Sequence, residues 1–492
     1  MQAEGREKQL EATARPTGTA APRLQPRASS LWQQTVTRLG DFAKWLRIGM
    51  RVKRWLLVAL LGIAILVVGV DLMFLLQLAD LGDQLNELVY RVTGKLLTEV
   101  GILRRFTYQV IIGFPTAILG LLVFIYGVRN LLVSVTSAVV PTGNQPIADV
   151  IWRRRQLAHG ARIVVIGGGT GLSTLLRGLK QYTSNITAVV TVTDDGGSSG
   201  RLQREFGMLP PGDIRNCLVA LADAEPLMQE LFQYRFQPRG ANGADPTGLQ
   251  GHSFGNLLIA AMLHITGDFE EAVRQTSRVL AIRGRVLPST TRQVSLLAEL
   301  EDGTIVEGET NISREGGRIR EMRLSEPDVE PLDETLEAIR TADAIVIGPG
   351  SVYTSLVPNF LVNGVAEAVA ESQAIKLYVC NVMTQPGETT DFTASDHVRA
   401  ILRQSRMPLF DYVMVNIEEP NEALRERYAG VGSRWVQPDL ERIRSLGLRP
   451  ITGRFISQSN VVRHDPEELA REIVDLINRR ARPLFWALDR RD

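Results

Sequence analysis

Cysteine is scarce in this sequence, and its opposite charges almost cancel. The 492 residues include two cysteines, Cys217 and Cys380, which lie far apart in apolar segments. We therefore expect two reduced, buried thiols and neither a disulfide nor a metal site. Lysine plus arginine number 55 and aspartate plus glutamate 54, which leaves a net charge of +1. This balance gives no support to binding of a bulk polyanion, so we expect no nucleic-acid partner.

Several catalytic signatures are also missing. The chain has no Walker lysine, no zinc-type spacing of cysteine and histidine, and no Ser-His-Asp order. The dinucleotide fingerprint is incomplete, because Leu172 occupies the position of its last glycine. An NAD(P)-dependent enzyme is therefore the least favoured function for this chain.

Two long apolar runs are present instead. Residues 55–78 and 110–128 each supply about the 20 apolar residues that a helix needs to cross a bilayer. The basic residues flanking them favour cytoplasmic termini. Between the runs, leucine and valine recur at helical spacing over residues 81–96, which suits a helix on the membrane surface. A soluble hairpin of two buried helices is the alternative.

These features divide the chain into segments. Residues 1–50 are polar without a hydrophobic period, which predicts disorder. Residues 51–135 hold the two predicted transmembrane helices with their connecting interfacial helix, and residues 136–160 form a linker. Residues 161–482 form the remaining domain, which we expect to be cytoplasmic and anchored to the inner (plasma) membrane.

From residue 161 onward, short apolar strands alternate with helices. This pattern predicts an α/β fold with a doubly wound, Rossmann-like parallel sheet covered on both faces. One insertion should form a small antiparallel β-hairpin, because residues 294–300 alternate, Asp302-Gly303 is a turn signal and residues 304–310 lead back. A further strand at residues 319–324 extends it. Parallel strands are expected at residues 162–166, 186–192, 344–347, 376–379 and 411–415.

The first strand runs into a glycine loop that also opens a helix. We expect Gly168, Gly169, Thr170 and Gly171 to contact a ligand. Glycine permits positive φ and lets backbone amides approach phosphate oxygens, and a helix N-terminus favours negative charge. A tight turn without a ligand is the alternative.

The second strand ends at a loop in which carboxylates and hydroxyls are crowded among glycines. Asp194 or Asp195 could bind a ribose hydroxyl, and the pair also suits Mg²⁺ with phosphate oxygens. Capping of the turn is the alternative for Asp195. Ser198 and Ser199 could donate hydrogen bonds to phosphate or base.

Two later loops each precede an apolar helix. Asp213 is placed to cap the first of these helices, which leaves Arg215 and Asn216 in its first turn as ligand contacts. In the second, Asn256 lies in an apolar first turn and is a candidate contact, whereas His252 could be a simple N-terminal cap.

The next two strand ends repeat the same chemistry. Gly350 and Ser351 follow one strand, and Asn381 and Thr384 follow the other, so all four are candidate ligand contacts. Tyr353 could stack on a base or sugar, or pack in the core. The site as a whole is built to bind a nucleotide, and any chemistry would be transfer at a phosphate.

Together these motifs resemble the YvcK family of bacterial gluconeogenesis factors, which is related to CofD, the 2-phospho-L-lactate transferase. The resemblance covers about residues 162–479. It implies binding of UDP-sugars, notably UDP-N-acetylglucosamine, and a regulatory role that links carbon metabolism to cell-wall synthesis and cell shape, with no cofactor required. We also expect a homo-oligomer, with a cell-wall precursor enzyme as a candidate partner.

The resemblance assigns roles to particular residues. Gly169 and Thr170 should meet the diphosphate, and the nucleotide-sugar pocket should be lined by Asp194, Asp195, Asn216 and Tyr353. Many YvcK proteins have asparagine where this chain has Thr170, and threonine is typical of the CofD branch. The Gly-Gly-Ser-Ser-Gly run resembles YvcK instead. The alternative function is therefore a CofD-like transferase that acts with Mg²⁺ on a nucleoside-diphosphate-linked substrate.

Overall fold

The computed structural model describes residues 54–73, 112–139, 147–223, 226–237, 248–458 and 461–481. The predictions of disorder over residues 1–50 and of a surface helix near residues 81–96 lie outside these ranges. Contacts divide the chain into two compact units, Met1–Ile151 and Trp152–Asp492.

The first unit contains two apolar helices, α1 (Arg54–Met73) and α2 (Phe114–Val139). Both are long and apolar enough, by length and composition, to cross a membrane. Their large side chains are mostly exposed; Leu57 is 66% and Leu122 is 58% exposed. A soluble hairpin of buried helices would hide such residues, so an apolar surface of this extent points to a further covering.

Glycines let the backbones of α1 and α2 approach each other closely. A Cβ atom added to Gly62 would lie 2.3 Å from the backbone nitrogen of Phe124, and one added to Gly120 would lie 2.3 Å from that of Leu66. Because these positions lack a side chain, the two backbones can touch. Helices in an apolar environment often pack in this way, since the hydrophobic effect does not drive them together there and close van der Waals contact does.

The segment predicted as a linker, residues 136–160, includes a helix. This helix, α3 (Ile147–Ala158), carries exposed Trp152, Arg154 and Arg155, while Leu157 is buried.

A parallel sheet forms the centre of the second unit and confirms the predicted α/β class. Its seven strands have the order β10-β9-β8-β7-β1-β2-β3, and every neighbouring pair is parallel. From the centre, β1 to β3 proceed toward one edge and β7 to β10 toward the other, so the order reverses between β1 and β7. The strands are β1 (Ile163–Gly167), β2 (Ile186–Val190), β3 (Arg285–Pro288), β7 (Ala344–Ile347), β8 (Ile375–Val379), β9 (Tyr412–Asn416) and β10 (Arg449–Gly453).

Alternate residues of β1 pack into two different apolar cores, one on each face of the sheet. Ile163 and Val165 belong to one core, and Val164 and Ile166 to the other, because successive side chains of a strand point to opposite faces. Helices cover both faces. They are α4 (Gly169–Leu179), α5 (Gly197–Phe206), α6 (Gly212–Leu221), α7 (Pro226–Gln233), α8 (Phe254–Thr266), α9 (Phe269–Val279), α10 (Glu309–Glu315), α11 (Asp333–Thr341), α12 (Val357–Phe360), α13 (Val365–Glu371), α14 (Ala394–Ser405), α15 (Glu422–Ala429), α16 (Leu440–Ser445) and α17 (Pro466–Ala481).

The predicted antiparallel insertion is present as a three-stranded sheet of order β5-β4-β6. Its strands are β4 (Leu296–Leu300), β5 (Ile305–Glu307) and β6 (Ile319–Leu324). The return strand stops short of the predicted residue 310, because Gly308 takes φ +91° and helix α10 begins after it. A second hairpin that the sequence reading missed, β11 (Ile456–Gln458) with β12 (Val462–His464), precedes α17.

Helix α4 packs against α17 through Gly178. A Cβ atom at this position would lie 1.8 Å from the carbonyl oxygen of Pro466, at the start of α17. We expect Gly178→Ala to lower the free energy of unfolding by about 3 kcal/mol, because the two helices must move apart. Urea unfolding of the full chain in detergent would measure this.

The control is Gly430→Ala. Gly430 has φ −61° and an added Cβ would meet its nearest atom at 3.4 Å, so the change should stay within about 0.5 kcal/mol. Equal effects of the two substitutions would contradict the proposed contact.

Candidate ligand-binding site

A cavity of about 640 Å³ opens where β1, β7 and β8 end. This is the place where the strand order reverses, and neighbouring loops diverge there to leave a crevice. Predicted site residues in its wall are Gly168, Gly169, Thr170, Gly171, Asp194, Gly350, Ser351, Asn381 and Thr384.

The glycine loop supplies the first turn of α4. The helix begins at Gly169, so the loop's amides belong to the helix N-terminus. Gly169 takes φ +68°, which favours glycine. A Cβ atom on Gly171 would lie 2.3 Å from the carbonyl oxygen of Pro349, so this glycine allows the loops after β1 and β7 to touch.

Asp213 does not cap its own helix, and that prediction is wrong. Helix α6 has no side-chain cap at its N-terminus, whereas the Gly169 N–H donates to Asp213 Oδ2 at 2.6 Å. The carboxylate therefore ties the first turn of α4 to α6. The Asp213 side chain can reach Gly169 because it is not used as the cap of its own helix, whose cap position is Pro211.

The environment of Asp213 is unfavourable for a charge. Asp213 keeps some surface at the cavity, but protein atoms crowd it on most sides. This burial, followed by the charge of Asp194, raises its pKa to about 6, although the hydrogen bond from Gly169 acts in the opposite direction.

The two carboxylates after β2 diverge. Asp194 lines the cavity, and its Oδ1 accepts the Gly196 N–H at 2.9 Å. Asp195 Oδ1 accepts the N–H and hydroxyl of Thr310 at 3.0 and 2.6 Å, so this side chain fastens the insertion. Within the described ranges, no group of three or more acidic, histidine or cysteine side chains could hold a metal ion. One carboxylate with phosphate oxygens suffices for Mg²⁺, so Asp194 fits such a site and Asp195 does not.

A buried hydrogen-bond network forms from other predicted site residues. Arg215 donates to Asn216 Oδ1 at 2.8 Å, to Asn256 Oδ1 at 3.1 Å and to Ser253 Oγ. Asn256 in turn donates to Ser198 Oγ at 3.0 Å. Burial lowers the pKa of Arg215 to about 10, which leaves it cationic at neutral pH. None of these residues lines the cavity; they join the loops that surround it.

Ser198 and Ser199 therefore lie outside the cavity wall, among the loops that surround it. Ser198 Oγ lies 3.0 Å from His252 Nδ1, so His252 is a network member, while Ser253 caps α8 by accepting the Asn256 N–H. A Cβ atom on Gly212 would lie 2.4 Å from Ser199 Oγ, which shows how closely the loops pack.

The loops after β7 and β8 are joined by their own side chains. Asn381 accepts the Gly350 N–H at 3.1 Å and donates to the Gly350 carbonyl at 2.8 Å. Ser351 Oγ donates to Gln385 Oε1 at 2.5 Å. Tyr353 is placed in the apolar core and is 4% exposed, and burial raises its pKa to about 12. It does not line the cavity.

The cavity wall also contains residues that the sequence reading missed, and those that can ionise are Glu309, Tyr428, Arg463 and His464. Burial and the neighbouring carboxylates raise the pKa of Glu309 to about 9, so it is protonated at neutral pH. Burial lowers the pKa of His464 to about 4, so it is neutral. Arg463 is then the one cation in the described cavity wall. For Arg463 and His464, the only signal in the sequence was that two basic residue types stand next to each other, directly before the helix start at Asp465-Pro466.

Asp213 predicts a pH dependence of stability. Between its usual pKa of 3.8 and about 6, the native state holds a proton that the unfolded chain has released, so the free energy of unfolding falls as pH rises. Asp213→Asn keeps an acceptor for Gly169 but cannot ionise. Urea unfolding should therefore show the variant gaining up to about 3 kcal/mol over the unmodified protein between pH 4 and 7. Parallel pH profiles would contradict this account.

Comparison with known proteins identifies the family. The family model described as "2-phospho-L-lactate transferase CofD" matches residues 163–456. The "Gluconeogenesis factor" of Bacillus subtilis is 49% identical over 317 residues, which cover 64% of this chain and 98% of that protein. A relative from Nostoc sp. is 46% identical over 467 residues, 92% of this chain and 97% of its own.

A solved structure agrees with the fold. The crystal structure of a protein of the UPF0052 family from Bacillus halodurans is similar with a TM-score of 0.61 and 48% identity, over 64% of this chain and 99% of that one. The residues matched by the family model lie within the second unit, and the similarity to the Nostoc relative covers 92% of the chain. The chain belongs to the gluconeogenesis factor family and carries its CofD-like domain.

Proposed function

We propose that this protein is a membrane-tethered, cytoplasm-facing regulator that binds a UDP-sugar, UDP-N-acetylglucosamine first among them. In this role it links carbon metabolism to cell-wall synthesis and cell shape. A cell-wall precursor enzyme is its partner, and the protein acts as a homo-oligomer without a required cofactor.

The observation that carries the ligand proposal is the pairing of a helix N-terminus with Arg463 across one cavity. The amides of the glycine loop and the α4 dipole attract an anion, and Arg463 supplies a full positive charge. A diphosphate carries enough negative charge to bind the N-terminus of α4 and Arg463 at the same time. The volume of about 640 Å³ lies within the range of small-molecule sites.

Glu309 supports the same ligand. An ionised glutamate would repel a diphosphate, but the raised pKa of about 9 keeps this carboxyl protonated, so it can donate a hydrogen bond to a phosphate or sugar oxygen. Ser351, Asn381 and Thr384 add neutral polar groups that suit a sugar.

A CofD-like transferase is the second candidate. The match to the CofD family model and the position of Asp194 in the cavity favour it. Mg²⁺ would bind Asp194 together with phosphate oxygens and would supply charge stabilisation for transfer at the diphosphate.

Arg463 provides the test of ligand binding. We expect Arg463→Gln to weaken UDP-N-acetylglucosamine binding about tenfold or more, since the diphosphate loses a charge-assisted contact. Isothermal titration of the full chain in detergent would measure it. Arg471→Gln is the control, because Arg471 pairs with Glu468 on α17 and does not line the cavity.

The same titration separates the two functions. The regulator should bind the UDP-sugar in EDTA as in Mg²⁺ and release no product. Mg²⁺-dependent consumption of a nucleoside-diphosphate-linked lactate with a deazaflavin acceptor, without UDP-sugar binding, would overturn the first proposal in favour of the second.

The membrane tether rests on α1 and α2, whose exposed apolar surfaces a bilayer would cover. We expect the full chain to stay in the pellet after alkaline carbonate extraction of membranes and to require detergent for release. Leu122→Arg, on an exposed face, should weaken this retention, because arginine at a helix centre costs about 2.5–3.5 kcal/mol in membrane insertion. Recovery of the unmodified chain in the carbonate supernatant would contradict the proposed membrane anchoring.

A further inference from the structure

A second cavity of about 630 Å³ adjoins the candidate site. The two share a wall formed by Met383, Thr384 and Ser433. This wall is a short ribbon, in which the Thr384 N–H donates to the Arg434 carbonyl at 2.7 Å and the Arg434 N–H returns a bond to Thr384 Oγ1 at 2.9 Å. The second cavity is therefore separate from the first and rigidly joined to it.

Part of the lining is apolar and aromatic. Met383, Phe392 and Trp435 supply surfaces against which a flat ring can pack. The indole Nε1 of Trp435 is buried and has no hydrogen-bond partner within the described ranges. Other atoms of this ring line the cavity, so the indole contributes apolar surface there and not a donor that a ligand can reach.

Two arginines at the cavity are available for an anion. Arg434 pairs with Asp391 at 2.7 Å, and these side chains are 72% and 63% exposed; Arg425 pairs with Glu419, and both are also well exposed. Solvent screens such pairs, so they contribute little and can be exchanged for a ligand. The guanidinium fork fits a carboxylate or a phosphate with two parallel hydrogen bonds.

We propose that the second cavity binds a small anionic aromatic metabolite. The ring lies against Trp435 and Phe392, and a carboxylate or phosphate group binds Arg434 or Arg425 in exchange for Asp391 or Glu419, which line the same cavity. The candidate site offers glycine-loop amides and Arg463; the second cavity offers an aromatic wall and exchangeable arginines, so the two select different ligands.

The experiment uses the full chain in detergent, with phenyl phosphate and benzoate as probes in isothermal titration. Arg434→Gln should weaken binding about tenfold, since it removes a charge-assisted fork. Trp435→Phe reduces the aromatic surface against which the probe packs, and should weaken binding severalfold. Arg434 is exposed, so its variant carries the test if Trp435→Phe does not fold.

Matched controls locate the probe. Arg463→Gln lies in the other cavity, and Trp152→Phe alters an exposed indole on α3, so both should leave probe binding unchanged. Binding of benzoate alone assigns a carboxylate ligand, and binding of phenyl phosphate alone assigns a phosphate ester. Binding of neither probe, or binding lost in Arg463→Gln and kept in Arg434→Gln, overturns the proposal.

Discussion

The hydrogen bond from the Gly169 N–H to Asp213 is the contact on which the candidate site depends. It fixes the first turn of α4 against α6, and it requires that Gly168 have no side chain, because a Cβ atom there would lie 2.7 Å from Asp213 Oδ2. It also places a carboxylate at a helix N-terminus, where the partial positive charge stabilises it. This one contact therefore fixes the conformation of the glycine loop and places the Asp213 carboxylate beside it.

That carboxylate explains the unusual charge balance of the cavity. Burial and the charge of Asp194 raise the pKa of Asp213, and burial together with these two carboxylates keeps Glu309 protonated. If the proposed diphosphate takes the Gly169 N–H, it must displace Asp213 or meet it protonated. Arg463, on the β11–β12 hairpin, lines the same cavity and would offset part of the negative charge.

Five of the seven strands could be predicted from sequence, because each of them is a short apolar run ending at glycine or at polar residues. The edge strands β3 and β10 were missed, because arginine and proline interrupt their apolar pattern. The glycine loop, Asp194 and the loops after β7 and β8 follow from topology, since parallel strands deliver their carboxyl ends to one edge. The side chains of Asp195 and Asp213 could not be placed, because their partners, Thr310 and Gly169, are remote in sequence. Glu309 and Arg463 reach the cavity from an insertion and a hairpin, which no local motif reveals.

The ribbon of Thr384 and Arg434 ties the site to its surroundings. It forms a wall of two cavities, and its hydrogen bonds leave neither side free to move alone. Any ligand that shifts this ribbon changes the shape of both cavities, and thermodynamic linkage requires the effect on affinity to be reciprocal. If both proposed ligands bind, binding of one is therefore expected to change the affinity for the other.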